Sequence, residues 1–306
     1  MSEMLYARDA YGQALIELGK KNNNIVVLDA DLSSSTRTAK FAQVFPERFF
    51  NLGVAEQNMM GVAAGLASCG KIAFVSTFAI FGSGRAWDQV RNTIGYNKLN
   101  VKIVVTHAGI TVGPDGASHQ AIGDIALMRA IPTMTIVVPC DAQETKEVIL
   151  ASAEYQGPMY VRLGRAKVPT IAQKDGFKIG QARLLRAGKD VTIIACGIMV
   201  KLALDAADIL AKEGKSCRVV NMHTIRPFDQ KMIIECAKAT KKIVTCEEHL
   251  TCGGLGSSVA EVLAEHIPTP MSMIGIKHRF GQSGSSEELL KEYHLTGEDI
   301  VAACRK

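Results

Sequence analysis

The sequence predicts an α/β protein of two domains, each built around a mostly parallel sheet, and three observations carry that prediction. Short β-branched runs are apolar from end to end, as in strands buried on both faces. Helical stretches separate them, as parallel crossovers require. After Arg165 the alternation breaks into a polar stretch containing Pro169 and Gly176, and then restarts. The domains are therefore read as residues 1–167 and 187–306, joined by a linker over 168–186.

Taken in order, Ala7 to Lys20 reads as a helix and Ile25-Val26-Val27-Leu28-Asp29 as a buried strand. Glu47 to Leu52 reads as a short strand leading into a helix of small residues at 60–67, whose apolar side faces a core. Ile72–Val75, Val101–Thr106 and Met134–Val138 are further buried strands, with helices at 84–96 and 142–154. In the second domain the apolar runs at 190–195, 217–221, 242–246 and 271–276 read as four strands with helices between them. No internal repeat or low-complexity tract interrupts this order.

The bulk composition narrows the function classes. At 306 residues, 47% hydrophobic and 21% charged, the chain suits an ordinary globular protein with room for two cores. No apolar run is long enough to span a bilayer, and Met1-Ser2-Glu3-Met4 has no basic region before an apolar one, so a cytoplasmic protein without a membrane partner is expected. The net charge of +5 is scattered; it does not argue for nucleic acid and is compatible with anionic small substrates. Eight cysteines lie without a Cys-x-x-Cys pair, mostly inside apolar segments, which fits reduced buried thiols and no zinc site.

Three clusters could carry chemistry, all placed where strands give way to loops or helices. The first is Asn51-Leu52-Gly53-Val54-Ala55-Glu56-Gln57, with Glu56 in the first turn of the small-residue helix. A carboxyl there is either a partner for the helix dipole or a buried acid able to protonate a nitrogen base. The second, Ser76-Thr77-Phe78-Ala79-Ile80-Phe81-Gly82-Ser83-Gly84, follows a strand; Phe78 and Phe81 are either plain core or a face that stacks a flat heterocycle. The third, Thr106-His107-Ala108-Gly109 through Gly113-Pro114-Asp115-Gly116-Ala117-Ser118-His119-Gln120, puts two histidines and an aspartate into a glycine-rich loop. At the carboxyl end of a strand these groups suit recognition of a polyol or an oxyanion. The spacing gives no helical ligand face, so no metal site is expected from it.

In these three motifs, and over its whole length, the chain resembles the C-terminal half of transketolases: a pyrimidine-binding domain followed by a C-terminal domain. Gly-Val-Ala-Glu-Gln at 53–57, Ser-Thr-Phe at 76–78 and Gly-Pro-Asp-Gly-Ala-Ser-His-Gln at 113–120 match the family's motifs in order, and Glu247-Glu248-His249 and Arg279-Phe280-Gly281-Gln282-Ser283-Gly284 extend the likeness. The resemblance implies thiamine diphosphate with Mg2+ as cofactors and transfer of a two-carbon ketol group between sugar phosphates, as in pentose phosphate interconversion. It implies that Glu56 contacts N1′ of the aminopyrimidine, that Phe78 and Phe81 stack that ring, and that His107 and His119 hydrogen-bond the sugar hydroxyls and act in catalysis. Asp115 would read the acceptor's C2 hydroxyl, and Arg8, Ser35 and Arg165 would hold the substrate phosphate. Where related enzymes carry a third aromatic this chain has Gly84, which leaves a thinner platform or one completed by Trp87.

One family feature is missing. No Gly-Asp-Gly motif followed by an asparagine pair, the set that holds diphosphate and cation in the family, occurs; the nearest strings, Pro114-Asp115-Gly116 and Lys174-Asp175-Gly176, lack the first glycine and the following asparagines. The expectation is therefore a split enzyme: an N-terminal transketolase subunit would supply diphosphate and metal binding, in an α2β2 heterotetramer. The corresponding half of a 1-deoxyxylulose-5-phosphate synthase, a 2-oxoacid dehydrogenase E1 β-like subunit and a partnerless regulatory homologue are the alternatives.

Overall fold

The continuous β-branched runs do form strands, and their carboxyl ends converge on one edge. The computed structural model describes residues 3–171 and 176–306. Its strands in chain order are β1 (Met4–Tyr6), β2 (Ile25–Asp29), β3 (Phe49–Asn51), β4 (Ile72–Ser76), β5 (Val101–Val105), β6 (Thr135–Val137) and β7 (Met159–Arg162). There follow β8 (Lys167–Pro169), β9 (Arg183–Arg186), β10 (Val191–Ala195), β11 (Cys217–Asn221), β12 (Thr224–Arg226), β13 (Ile243–Leu250) and β14 (Met271–Ile276).

The first sheet has the order β12-β6-β7-β5-β4-β2-β3, parallel except for β12. Every residue of β2, β4, β5 and β7 is buried, which is why those segments lack polar alternation. Successive residues point to opposite faces, so Val26 and Leu28 enter one core while Ile25 and Val27 enter another. Met59, Met60 and Ala63 of the helix Glu56–Ser68 cover the first face; Tyr11 and Leu15 of Ala7–Lys21, with Val148 and Ile149 of Ala142–Glu154, cover the second. Each fully buried aliphatic or aromatic side chain contributes about 1.5–3 kcal/mol.

The second sheet, β14-β13-β10-β11-β9, is parallel apart from its edge strand β9. The two halves are not independent. Strand β12 follows β11 in sequence but pairs antiparallel with β6, matching Thr224 to Val137 and Arg226 to Ile136. Val220, Met222 and Leu255 join the core under the first sheet.

Three local differences from the sequence reading have clear causes. The region 84–96 is not one α-helix but two π-helical runs, Phe81–Arg85 and Gln89–Gly95. Gly82 and Gly84 weaken helical propensity there, and the Ser83 hydroxyl donates to the Ala79 carbonyl at 2.6 Å. The polar stretch after Arg165 holds β8 and β9 within and beside it, because β1 at the amino end supplies a partner for β8 that local composition cannot reveal. Residues 172–175 of that stretch, including Lys174 and Asp175, lie outside the described residues. Strands β1, β7 and β12, unanticipated, are short or flanked by turn residues.

Candidate active site at the carboxyl edge of the first sheet

Glu56 is the first residue of the helix Glu56–Ser68, and only 1% of its surface is exposed. The carboxylate sits at a helix amino end and is also buried. Its Oε2 accepts a hydrogen bond from Arg85 Nη1 at 2.8 Å, and the Arg85 guanidinium lies 5.0 Å from the Phe81 ring centre. Phe78 and Phe81 are nearly parallel, their rings inclined by 15° with centres 6.1 Å apart. Phe78 in turn stacks on His107 at 3.9 Å, and Phe81 meets His119 edge-on at 5.4 Å. Trp87 does not complete this platform: its Nε1 donates to the Leu127 carbonyl at 3.0 Å, and its ring lies under Arg91.

His107 lies two residues beyond the end of β5 and adopts a left-handed φ of 57°. Burial, reinforced by the charges of Arg8 and Arg165 and the neighbouring His119 and Arg37, lowers its pKa to about 3. The imidazole is therefore neutral at physiological pH, with Nδ1 2.9 Å from the Thr106 hydroxyl. His119 is half-buried, with Nδ1 3.0 Å from Ser118 Oγ. Asp115 is exposed and lies 3.5 Å from Arg165 Nη1.

The anion-binding candidates are assembled from both ends of the first domain. Strand β1 pairs antiparallel with β8, Tyr6 opposite Lys167, and this ribbon carries Arg8 and Arg165 to the same edge. Arg8 Nη1 donates to the Ser35 carbonyl at 3.2 Å, so Ser35 meets Arg8 through its backbone. The loop bearing Ser35 is pinned by Asp29 at the end of β2. Its carboxylate accepts from Leu32 N at 2.6 Å, Thr36 Oγ1 at 2.7 Å and Thr38 Oγ1 at 2.8 Å, while burial raises its pKa.

The second domain braces the glycine-rich loop. Glu248, buried in β13, accepts from Thr111 N at 2.7 Å, and burial raises its pKa. Gly109, with φ 82°, passes so close that an added Cβ would lie 2.2 Å from Glu248 Cδ. Gln120 Nε2 donates to the carbonyls of Ile110 at 3.1 Å and Gln282 at 2.9 Å, and Ser286 Oγ donates to Thr111 O at 2.9 Å. Arg162 links the pieces underneath: Nε donates to Asp124 at 2.8 Å and Nη2 to the Glu248 carbonyl at 3.1 Å. Burial, the largest single influence, would raise the Asp124 pKa, but the charges of Arg162 and His249 and the hydrogen bonds from Arg162 and Tyr160 together outweigh it and hold the carboxyl below its ordinary value.

All nine residues singled out by sequence thus gather along one edge: Glu56, Phe78, Phe81, His107 and His119 at one end, Arg8, Ser35, Asp115 and Arg165 at the other. Sequence reasoning missed Arg37, Arg85 and the bracing role of Glu248. The four-residue spacing of Phe81 and Arg85 could have revealed their contact; the Glu248 contact spans 137 positions and has no local signature. Beside the platform runs an apolar cleft of about 550 Å3 between the domains, lined by Ile80, Gly84, Ala117, Gln120 and the 85% exposed Phe280. A larger cavity of about 680 Å3, along β14, contains none of the nine residues. Among the described residues no group of three or more His, Cys, Asp or Glu side chains is placed to hold a metal ion.

A two-domain α/β chain with a buried acid, stacked rings and neighbouring arginines at one sheet edge has the form of half a thiamine-diphosphate enzyme. Residues 3–170 match the transketolase pyrimidine-binding domain and residues 180–300 the transketolase C-terminal domain, and the chain belongs to the transketolase family. It is 54% identical over 298 residues to a provisionally named transketolase C-terminal section of Methanocaldococcus jannaschii, covering 96% of this chain and 93% of that one. It is 41% identical over 302 residues to a 6-deoxy-6-sulfo-D-fructose transketolase subunit of Clostridium sp. (strain MSTE9), covering 98% and 94%. A solved split-gene transketolase, described as an inactive β4 tetramer, superposes with a TM-score of 0.92 at 52% identity, covering 98% of this chain and 97% of that one.

Proposed function

We propose that this chain is the subunit of a split transketolase that carries the pyrimidine-binding and C-terminal domains, transferring a two-carbon ketol unit between sugar phosphates when joined to a partner. The observation that carries the reading is the placement of buried Glu56 beside the parallel Phe78 and Phe81 rings, with Arg8 and Arg165 further along the same edge. The residues fit the aminopyrimidine end of thiamine diphosphate: two rings offer a flat face, and Glu56 Oε2 already accepts a nitrogen donor at 2.8 Å, a stand-in for a ring nitrogen. The cofactor, when bound, would supply the nucleophilic carbon and the electron sink for the ketol unit.

The chain's own groups divide the remaining work. Glu56 would hold the proton at N1′ of the aminopyrimidine, a charge-assisted contact strengthened by burial. Neutral His107 would hydrogen-bond a substrate hydroxyl without adding positive charge, and His119 would share that role from across the platform. Asp115 would accept from the acceptor's C2 hydroxyl, while Arg8, Ser35 and Arg165 hold the phosphate, a task suited to guanidinium forks. Diphosphate and Mg2+ are assigned to a partner subunit because this sequence has no Gly-Asp-Gly followed by an asparagine pair. Relatives named as a C-terminal section and as a subunit support a divided enzyme, with α2β2 the expected assembly. The relative named for a sulfosugar leaves the preferred sugar to be decided by assay. Cys196, Cys217, Cys236 and Cys246 are buried free thiols, which suits a cytoplasmic setting.

The test is reconstitution. This chain and a partner carrying Gly-Asp-Gly are mixed with thiamine diphosphate and Mg2+, and ketol transfer is followed with wild type and Glu56→Gln. Activity only in the mixture, abolished by Glu56→Gln without loss of folding, supports the assignment; full activity of the variant overturns it.

A further inference from the structure

Arg37, to which the sequence reading gave no role, has surroundings that repeat those of the two arginines already in the anion pocket. Each is tethered through Nη1 to a backbone carbonyl: Arg8 to Ser35 at 3.2 Å, Arg37 to Ser34 at 2.9 Å, and Arg165 to Val112. In none of the three does Nη2 make a hydrogen bond among the described residues. Arg37 is further fixed by Asp9, whose Oδ1 lies 2.9 Å from Nε and 3.3 Å from Lys40 Nζ. Its backbone takes the left-handed conformation, φ 73° and ψ 9°, which a non-glycine residue adopts only when its surroundings impose it. Gly12 permits that turn: a Cβ there would lie 2.8 Å from the Arg37 carbonyl oxygen. The charge of Arg37 reaches both Arg8 and His107, lowering the pKa of each, so the side chain belongs to the same electrostatic neighbourhood.

We propose that Arg37 is a third guanidinium of the substrate's anion pocket, and that its Nη2 donor and its charge select sugar phosphates over uncharged ketol acceptors. The inference rests on the transketolase reading of the site. A phosphate dianion accepts hydrogen bonds on three oxygens, and three tethered forks can satisfy them with little further loss of side-chain freedom.

The decisive experiment compares wild type, Arg37→Gln and Arg37→Lys in the reconstituted two-chain enzyme, with an uncharged ketol donor and two acceptors: ribose 5-phosphate and glycolaldehyde. Arg37→Gln is expected to raise KM for ribose 5-phosphate about tenfold, as befits one lost charge-assisted contact. Its kcat should stay within about twofold and its glycolaldehyde kinetics should move far less, with Arg37→Lys intermediate because it restores charge without the fork. An unchanged KM for ribose 5-phosphate, or equal losses with both acceptors, overturns the proposal. Inorganic phosphate titrated into the isolated chain, followed by NMR of the arginine side chains, gives a separate readout. Wild type should bind more tightly than Arg37→Gln; equal binding overturns the role of Arg37 even if the reconstituted enzyme proves inert. Inertness of the wild-type mixture itself is what would overturn the transketolase reading.

Discussion

The neutral state of His107 makes a quantitative prediction about acid stability. Its pKa is lowered from 6.5 to about 3 in the fold. Between those values the unfolded chain binds a proton that the folded chain refuses, so stability rises with pH across the window and falls as pH drops through 6.5 toward 3. Lowering the pH from about 8 to about 5 should therefore cost about 2 kcal/mol at this residue alone. His223, buried against Phe177 and also lowered to about 3, adds a similar amount, for a combined loss of about 4 kcal/mol. Urea denaturation of the isolated chain at the two pH values measures the loss, and His107→Asn should remove about half of it. Ring-proton NMR supplies the direct check, since the His107 signal should not move over this range. A His107 signal titrating with a midpoint near 6.5, or a His107→Asn variant with the full pH dependence of wild type, would refute the reasoning.

Two further predictions follow from the glycine-rich loop. Gly109→Ala places a methyl group against Glu248 and forces alanine to φ 82°, so it should destabilise the chain by about 1–3 kcal/mol in urea denaturation; adding Glu248→Ala should recover the steric part. Asp115→Ala in the reconstituted enzyme should lower kcat/KM about tenfold or more for acceptors with a stereogenic C2 hydroxyl, and much less for glycolaldehyde, whose C2 hydroxyl is primary and not stereogenic. Equal losses with both acceptors would remove Asp115 from acceptor recognition.

The legible part of this protein was whatever local pattern controls. Buried parallel strands announce themselves as unbroken β-branched runs, so β2, β4, β5, β10, β11, β13 and β14 all lay within a few residues of where the sequence put them. Glu56, Phe78, Phe81, His107, Asp115 and His119 stand out in motifs at strand ends or a helix start, whereas Arg8, Ser35 and Arg165 could be named only through the resemblance to transketolases. What the tertiary structure alone decided is how those segments meet. The pairing of β1 with β8 brings Arg8 beside Arg165 across more than half the chain. The transfer of β12 into the first sheet, the thrust of Glu248 beneath Gly109, and the docking of Arg8 on the Ser35 carbonyl all depend on contacts between distant positions. Hydrophobic periodicity reports whether a residue faces a core and not which remote segment covers it; only the packed chain, where sterics and unpaired hydrogen-bonding groups leave one arrangement, settles that choice.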